Sequence, residues 1–119
     1  MKKTIKLKKN YEFDNTFKKG KYFSGNLIEC FYIKNKKNIN YLGIAISSKI
    51  CNAVKRNRVK RVIQAVYREM ENYIGKGNTF VFLWKKKANV ENCNFVNVKK
   101  DMNQIFNKIG ININDENND

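Results

Sequence analysis

The chain has 119 residues, 42% hydrophobic and 13% aromatic, which is enough for one packed domain and too few for two. Twenty-five lysines and arginines stand against ten carboxylates, giving a net charge of +15, and self-repulsion of that size is relieved most directly by a polyanion such as nucleic acid. No histidine is present, the carboxylates are scattered, and Cys30, Cys51 and Cys93 lack metal-ligand spacing, so neither a protein-borne acid–base site nor a metal site is expected and the thiols read as reduced and structural.

The opening MKKTIKLKKN turns polar before a signal-peptide core can build, and no run of about 18 apolar residues follows, so the expected location is the cytoplasm, with no membrane partner. Residues 1 to 9 read as a basic leader lying extended, with Ile5 and Leu7 between lysines. A short helix follows, with Asn10 as its cap, Phe13 and Phe17 one turn apart on one face, and Gly20 placed to end it in the left-handed conformation. Tyr22 and Phe23 suit a short edge strand. Leu27 to Lys34 and Tyr41 to Ser47 read as two strands joined by a polar hairpin loop, hence as an antiparallel pair. Alternation sends Ile28, Cys30 and Tyr32 to one side and Leu27, Glu29, Phe31 and Ile33 to the other, so aromatic rings reach a second face that can stack on unpaired bases.

The stretch from Ser47 to Met70 holds all four arginines, Arg56, Arg58, Arg61 and Arg68, whereas lysine is spread from end to end. Arginine's rigid fork suits phosphate, so this confinement points to an RNA-facing surface. Val59, Val62, Ile63, Val66, Met70 and Ile74 recur at helical spacing and form a packing stripe. Asn57, Arg61, Gln64 and Arg68 fall opposite, with Arg58 and Lys60 on the flanks, and Asn52 can cap the start. Lys55 and Arg56 sit in the first turn, where positive charge conflicts with the helix dipole but both attract an anion. Gly75 and Gly77 then break the pattern, Thr79 to Trp84 reads as a buried strand, and Val98, Met102, Ile105, Phe106 and Ile109 give a last amphipathic helix closed by Gly110. The predicted fold is a single α+β domain, a two-layer sandwich in the order α-β-β-(β)-α-β-α with its helices on one mixed sheet, and residues 112–119 read as a disordered tail.

The run NAVKRNRVKR, from Asn52 to Arg61, is similar to the signature of the bacterial ribonuclease P protein subunit, N-A-V-x-R-N-x-x-K-R, matching at Asn52, Ala53, Val54, Arg56, Asn57, Lys60 and Arg61. LKKNYEFDNTFKKG near the N-terminus and the strand–Ser–Ser–Lys approach to the helix also resemble that family, so the likeness spans almost the whole chain. It implies a small basic protein that joins a catalytic RNA, with which it removes the 5′ leader of precursor tRNA. Chemistry would then belong to the RNA with Mg2+, with no catalytic residue in the protein, no metal site of its own and no obligate protein partner. Carried onto this sequence, the resemblance gives RNA contact to Arg56, Asn57, Arg58, Lys60 and Arg61 and a leader-binding cleft to Phe13, Phe17 and Phe31, and the basic stretch itself adds Lys49, Asn52, Lys55 and Arg68 to the expected RNA-binding set. It also implies a left-handed βαβ crossover, the ribosomal protein S5 domain 2-like arrangement, an exception to the right-handed rule. The chain departs from the family at Cys51, where glycine is usual, and at Lys85, Lys86 and Lys87, where an arginine often follows the strand. The alternative reading is a stand-alone or ribosome-associated RNA-binding module, and the weakest is a nuclease in its own right.

Overall fold

The structure, a computed structural model, describes residues 3–112. The strands are β1 (Thr4–Lys6), β2 (Lys21–Ser24), β3 (Ile28–Lys34), β4 (Asn40–Ala45) and β5 (Asn78–Trp84), and the helices are α1 (Asn10–Lys19), α2 (Ala53–Met70) and α3 (Phe95–Ile109), with 3-10 turns at Glu71–Tyr73 and Val90–Asn92. They form an α+β fold around one mixed sheet, as expected, in the order β1-β4-β5-β3-β2, with helices on both faces of the sheet where two layers were predicted. β1 and β4 are parallel, as are β4 and β5 on either side of α2, whereas β5–β3 and β3–β2 are antiparallel.

Two expectations change here. β3 and β4 are not a hairpin pair, because β5 lies between them. Phe80, Val81 and Phe82 of β5 are fully buried, so the chain gains most by placing this strand centrally, covered on both faces. The loop that would have been a hairpin is held elsewhere: the Asn35 N–H donates to the Gly77 carbonyl at 2.9 Å and its side-chain amide to Thr79 Oγ1 at 3.0 Å. The leader, in turn, contributes a strand of its own, β1, which pairs with β4 instead of merely lying extended on the domain.

Alternation divides the sheet as predicted for β3. Leu42, Phe80 and Tyr32 form one transverse row, Ile44, Phe82, Cys30 and Phe23 the next, and these pack under α2 and α3 with Val59, Ile63, Val66, Met102, Ile105 and Phe106. The predicted stripe on α2 is largely correct, with one exchange: Val62 is only half-buried, while Tyr67 is fully buried. The opposite face carries the row Gly43, Val81, Phe31 and Tyr22, and α1 lies there. Val81 is fully buried yet stands apart from the main core, as a residue covered by α1 should.

Helix ends follow local chemistry. Asn52 caps α2, its Oδ1 accepting from the Lys55 N–H at 2.9 Å, as expected. The cap of α1 is Lys9, not Asn10: the Glu12 carboxylate accepts from the backbone of Lys8 and Lys9 at 3.0 and 2.9 Å, which lowers its pKa through those two bonds. Gly20 is extended, at φ −80°, and glycine is needed there because an added Cβ would lie 2.6 Å from the Thr16 carbonyl oxygen. Gly110 does close α3 in the left-handed region, at φ 106°. Of the predicted tail only Asn112 falls within the described residues; 113–119 lie outside them.

Buried polar groups tie the layers together. Glu71 Oε2 accepts from Thr4 Oγ1 at 2.6 Å and from the Lys3 N–H at 3.1 Å, and Thr4 Oγ1 lies 2.8 Å from the Tyr67 hydroxyl. This network is what clamps β1 onto α2. Burial pushes the Tyr67 phenol up to about 12, with the Glu71 charge adding to the shift and the Thr4 bond opposing it. A raised folded pKa favours the neutral phenol, so this contribution is intact below the ordinary value of 10.0 and is lost as pH rises from there toward 12. Two units correspond to at most about 2 to 3 kcal/mol. Urea melts of the parent and Tyr67→Phe across that interval should show a steeper alkaline loss in the parent; parallel curves would remove Tyr67 from the alkaline transition.

Candidate nucleic-acid interface

The basic helix presents its charge as a stripe. Asn57, Lys60, Arg61 and Arg68 are all exposed, and among the described residues Lys60, Arg61 and Arg68 hold no hydrogen bond or ion pair. Asn57 to Arg68 spans about 16 Å at 1.5 Å per residue. The other predicted residues are partly engaged by the protein. Arg56 Nη1 donates to the Cys51 carbonyl at 2.7 Å and Arg58 Nη2 to the Cys93 carbonyl at 2.9 Å, each bond leaving the remaining guanidinium donors for a ligand. Lys55 Nζ pairs with Glu91 Oε2 at 3.0 Å, which lowers the Glu91 pKa. Both partners are about half exposed, so this pair adds little stability and yields readily to a phosphate. Asn52 spends its side chain on the cap, and Lys49 is exposed in the turn before it.

The three phenylalanines come together on the opposite face of the sheet. Phe13 rests on Gly43, where an added Cβ would lie 2.6 Å from its ring, so the absence of a side chain at Gly43 is what seats α1. Phe17 meets Phe31 edge-on with centroids 5.1 Å apart, and Phe31 meets Tyr22 at 5.2 Å. Phe13, Phe17 and Phe31 are each partly buried, keeping some surface open. Beside α1 runs a groove of about 480 Å3 lined by Phe13 and Phe17 on one side and Ala45 and Ile46 on the other, with Lys60 of α2 in its wall. The basic helix and the aromatic cleft therefore share one surface, joined at Lys60. A second depression of about 780 Å3 lies across α1, lined by Tyr11, Lys18, Lys37 and Tyr41 together with Glu12 and Asp14.

Sequence reasoning named Lys60 as a flank of the helix and missed that it enters the cleft; it also missed Gly43 and the half-exposed Tyr22. Gly43 had a signal, a glycine inside a β pattern, which marks close approach. At the two departures from the family, Cys51 is half-buried and supplies the carbonyl that holds Arg56, and Lys85 Nζ donates to Ser24 Oγ at 2.9 Å and the Gly25 carbonyl at 3.1 Å, leaving Lys86 and Lys87 exposed. Among the described residues no helix is long and apolar enough to cross a membrane.

The model of the family described as Ribonuclease P matches residues 1–110. The ribonuclease P protein component of Clostridium acetobutylicum is 36% identical over 118 residues, covering 98% of each chain, and that of Clostridium kluyveri is 34% identical over 108 residues, covering 89% of this chain and 95% of its own. Among solved structures, the ribonuclease P protein of Thermotoga maritima superposes with a TM-score of 0.76 at 27% identity, covering 85% of this chain and 94% of the other. With nearly its whole length matched in sequence and in fold, the chain belongs to the bacterial ribonuclease P protein family.

Proposed function

We propose that this protein is the subunit that joins the catalytic RNA of ribonuclease P and assists removal of the 5′ leader from precursor tRNA, acting in the cytoplasm. The family membership supports that role over a stand-alone RNA-binding module. In this reading the exposed stripe of α2 meets the phosphates of the catalytic RNA, and the groove between α1 and the sheet holds the unpaired leader. The observation that carries it is Lys60, which stands on the basic helix and in the wall of the groove containing Phe13 and Phe17. One cation can thus face the leader as it emerges from the catalytic RNA. Magnesium ions would be held by RNA and substrate, and the cleavage chemistry would be theirs; the protein supplies phosphate contacts and aromatic rings.

Phe17→Ala tests the cleft. Purified protein alone should not cleave precursor tRNA, and adding it to the cognate catalytic RNA should restore cleavage at low magnesium. In that reconstituted enzyme the variant should weaken precursor binding by about 1–3 kcal/mol, the contribution of one stacked base, and leave mature tRNA binding unchanged. Equal losses for the two RNAs, in a variant with a native melting temperature, would return Phe17 to a purely structural role.

A further inference from the structure

Beyond the groove, the face of the sheet that carries Ala45 continues to a part that the cleft reading does not use. Next to the row of Gly43, Val81, Phe31 and Tyr22 the sheet carries a second row on the same face, Ala45, Leu83, Glu29 and Ser24, set by the pairs Ala45 with Leu83, Glu29 with Leu83, and Ser24 with Glu29. At one end of this row Ala45 lies beside Lys60 in the groove. Glu29 lies two strand spacings away, about 10 Å, and Ser24 three, about 14 Å, at the other end. Glu29 is half-buried, and its Oε2 accepts from the Tyr22 hydroxyl at 2.5 Å. Tyr22 is 50% exposed on the edge strand β2, and its ring continues the Phe17–Phe31 contact outward.

Asp14 lines the groove, and Glu29 is a second carboxylate on a surface that receives a polyanion. It repels phosphate, and the chain has only ten carboxylates against 25 cations to place there. It becomes favourable when the ligand brings a donor, and the donors of single-stranded RNA are the amino and imino groups on base edges and the 2′-hydroxyl. Glu29 offers acceptors alone, one of them already fixed by Tyr22, so its remaining lone pairs are held in a set direction beside an exposed ring. Resting on the cleft reading above, we propose that Tyr22 and Glu29 form a base-reading subsite on the same sheet face beyond the groove, reached along the Phe17–Phe31–Tyr22 contacts, where one leader nucleotide stacks on Tyr22 and its exocyclic amino group donates to Glu29. Adenine, cytosine and guanine carry such a group. Uracil does not, and its one base-edge donor, N3–H, is flanked on both sides by carbonyl oxygens that the carboxylate repels.

The test uses the reconstituted enzyme with precursor tRNAs in which each leader position in turn is changed to uridine. With the parent protein one position should show a loss of roughly fivefold or more in affinity, the scale of one base-edge contact. Glu29→Gln, whose amide can donate to uracil as well as accept, should abolish that preference. Tyr22→Ala should weaken binding of every leader reaching the position and leave shorter leaders unaffected; its exposed place on an edge strand lets the fold persist, checked by its melting temperature. The inference is overturned if the parent accepts uridine at every position, if Glu29→Gln keeps the preference, or if 2′-deoxy substitution and not base identity governs the loss. Phe17→Ala separates this failure from that of the cleft: if it loses precursor binding while Glu29→Gln changes nothing, the leader lies in the groove and only the subsite is wrong.

Discussion

Asp101→Ala is expected to lower the melting temperature by roughly 10–20 °C. Asp101 belongs to α3 and is 3% exposed. Its carboxylate accepts from three successive backbone N–H groups, Asn26 at 2.6 Å and Leu27 and Ile28 at 2.8 Å each. Bonds to a charged acceptor contribute about 1.5–3 kcal/mol apiece and add less than fully, so losing all three, with the Ile28 N–H left buried, costs on the order of 3–5 kcal/mol. The close approach depends on Gly25, where an added Cβ would lie 2.4 Å from the carboxylate. Because this turn sets the β2–β3 register, the same change should blur the placement of Tyr22 against Phe31. Lys100→Ala, one residue away and exposed, is the comparison. Melting temperatures within a degree or two of one another would show that Asp101 does not hold the turn.

Combining Lys60→Ala, Arg61→Ala and Arg68→Ala should weaken binding to the catalytic RNA by roughly a hundredfold near 0.1 M salt and flatten the slope of log K against log salt by about 2 to 3. Each phosphate contact releases counterions worth about 0.7–0.9 in that slope, so three contacts account for both figures. These residues were chosen over Arg56 and Arg58 because the latter also bond the Cys51 and Cys93 carbonyls, and their loss would mix folding with binding. Alanine favours the helix, so α2 should remain intact. Replacing Lys34, Lys37 and Lys76 removes the same charge from other exposed positions. Should the two triple variants lose affinity and slope alike, binding would depend on total charge and not on the α2 stripe.

Much of this was legible along the chain because it is local. A 3.6-residue period exposes the α2 stripe, an Asx residue before it marks the cap, and alternation in β3 separates Cys30 from Phe31 whatever lies on either side. The nine residues assigned to RNA contact and the three phenylalanines could be named on the same grounds and on the family's signature. Asp101 also left a trace: it stands three residues after Val98 on the apolar stripe of α3, a polar residue where only a partnered one survives burial.

Strand order left no such trace. Pairing is decided by which strand gains most from two covered faces, a comparison among all strands at once, and it set β5 between β3 and β4 although the loop joining those two is short. The juxtapositions that make a site follow from that order. Phe13 reaches Gly43 and Lys60 enters the groove only because the sheet is complete, whereas Glu29 meets Tyr22 within the local β2–β3 pair. Side-chain chemistry is written in the sequence residue by residue, whereas the distance between two side chains far apart in it exists only once the core has closed.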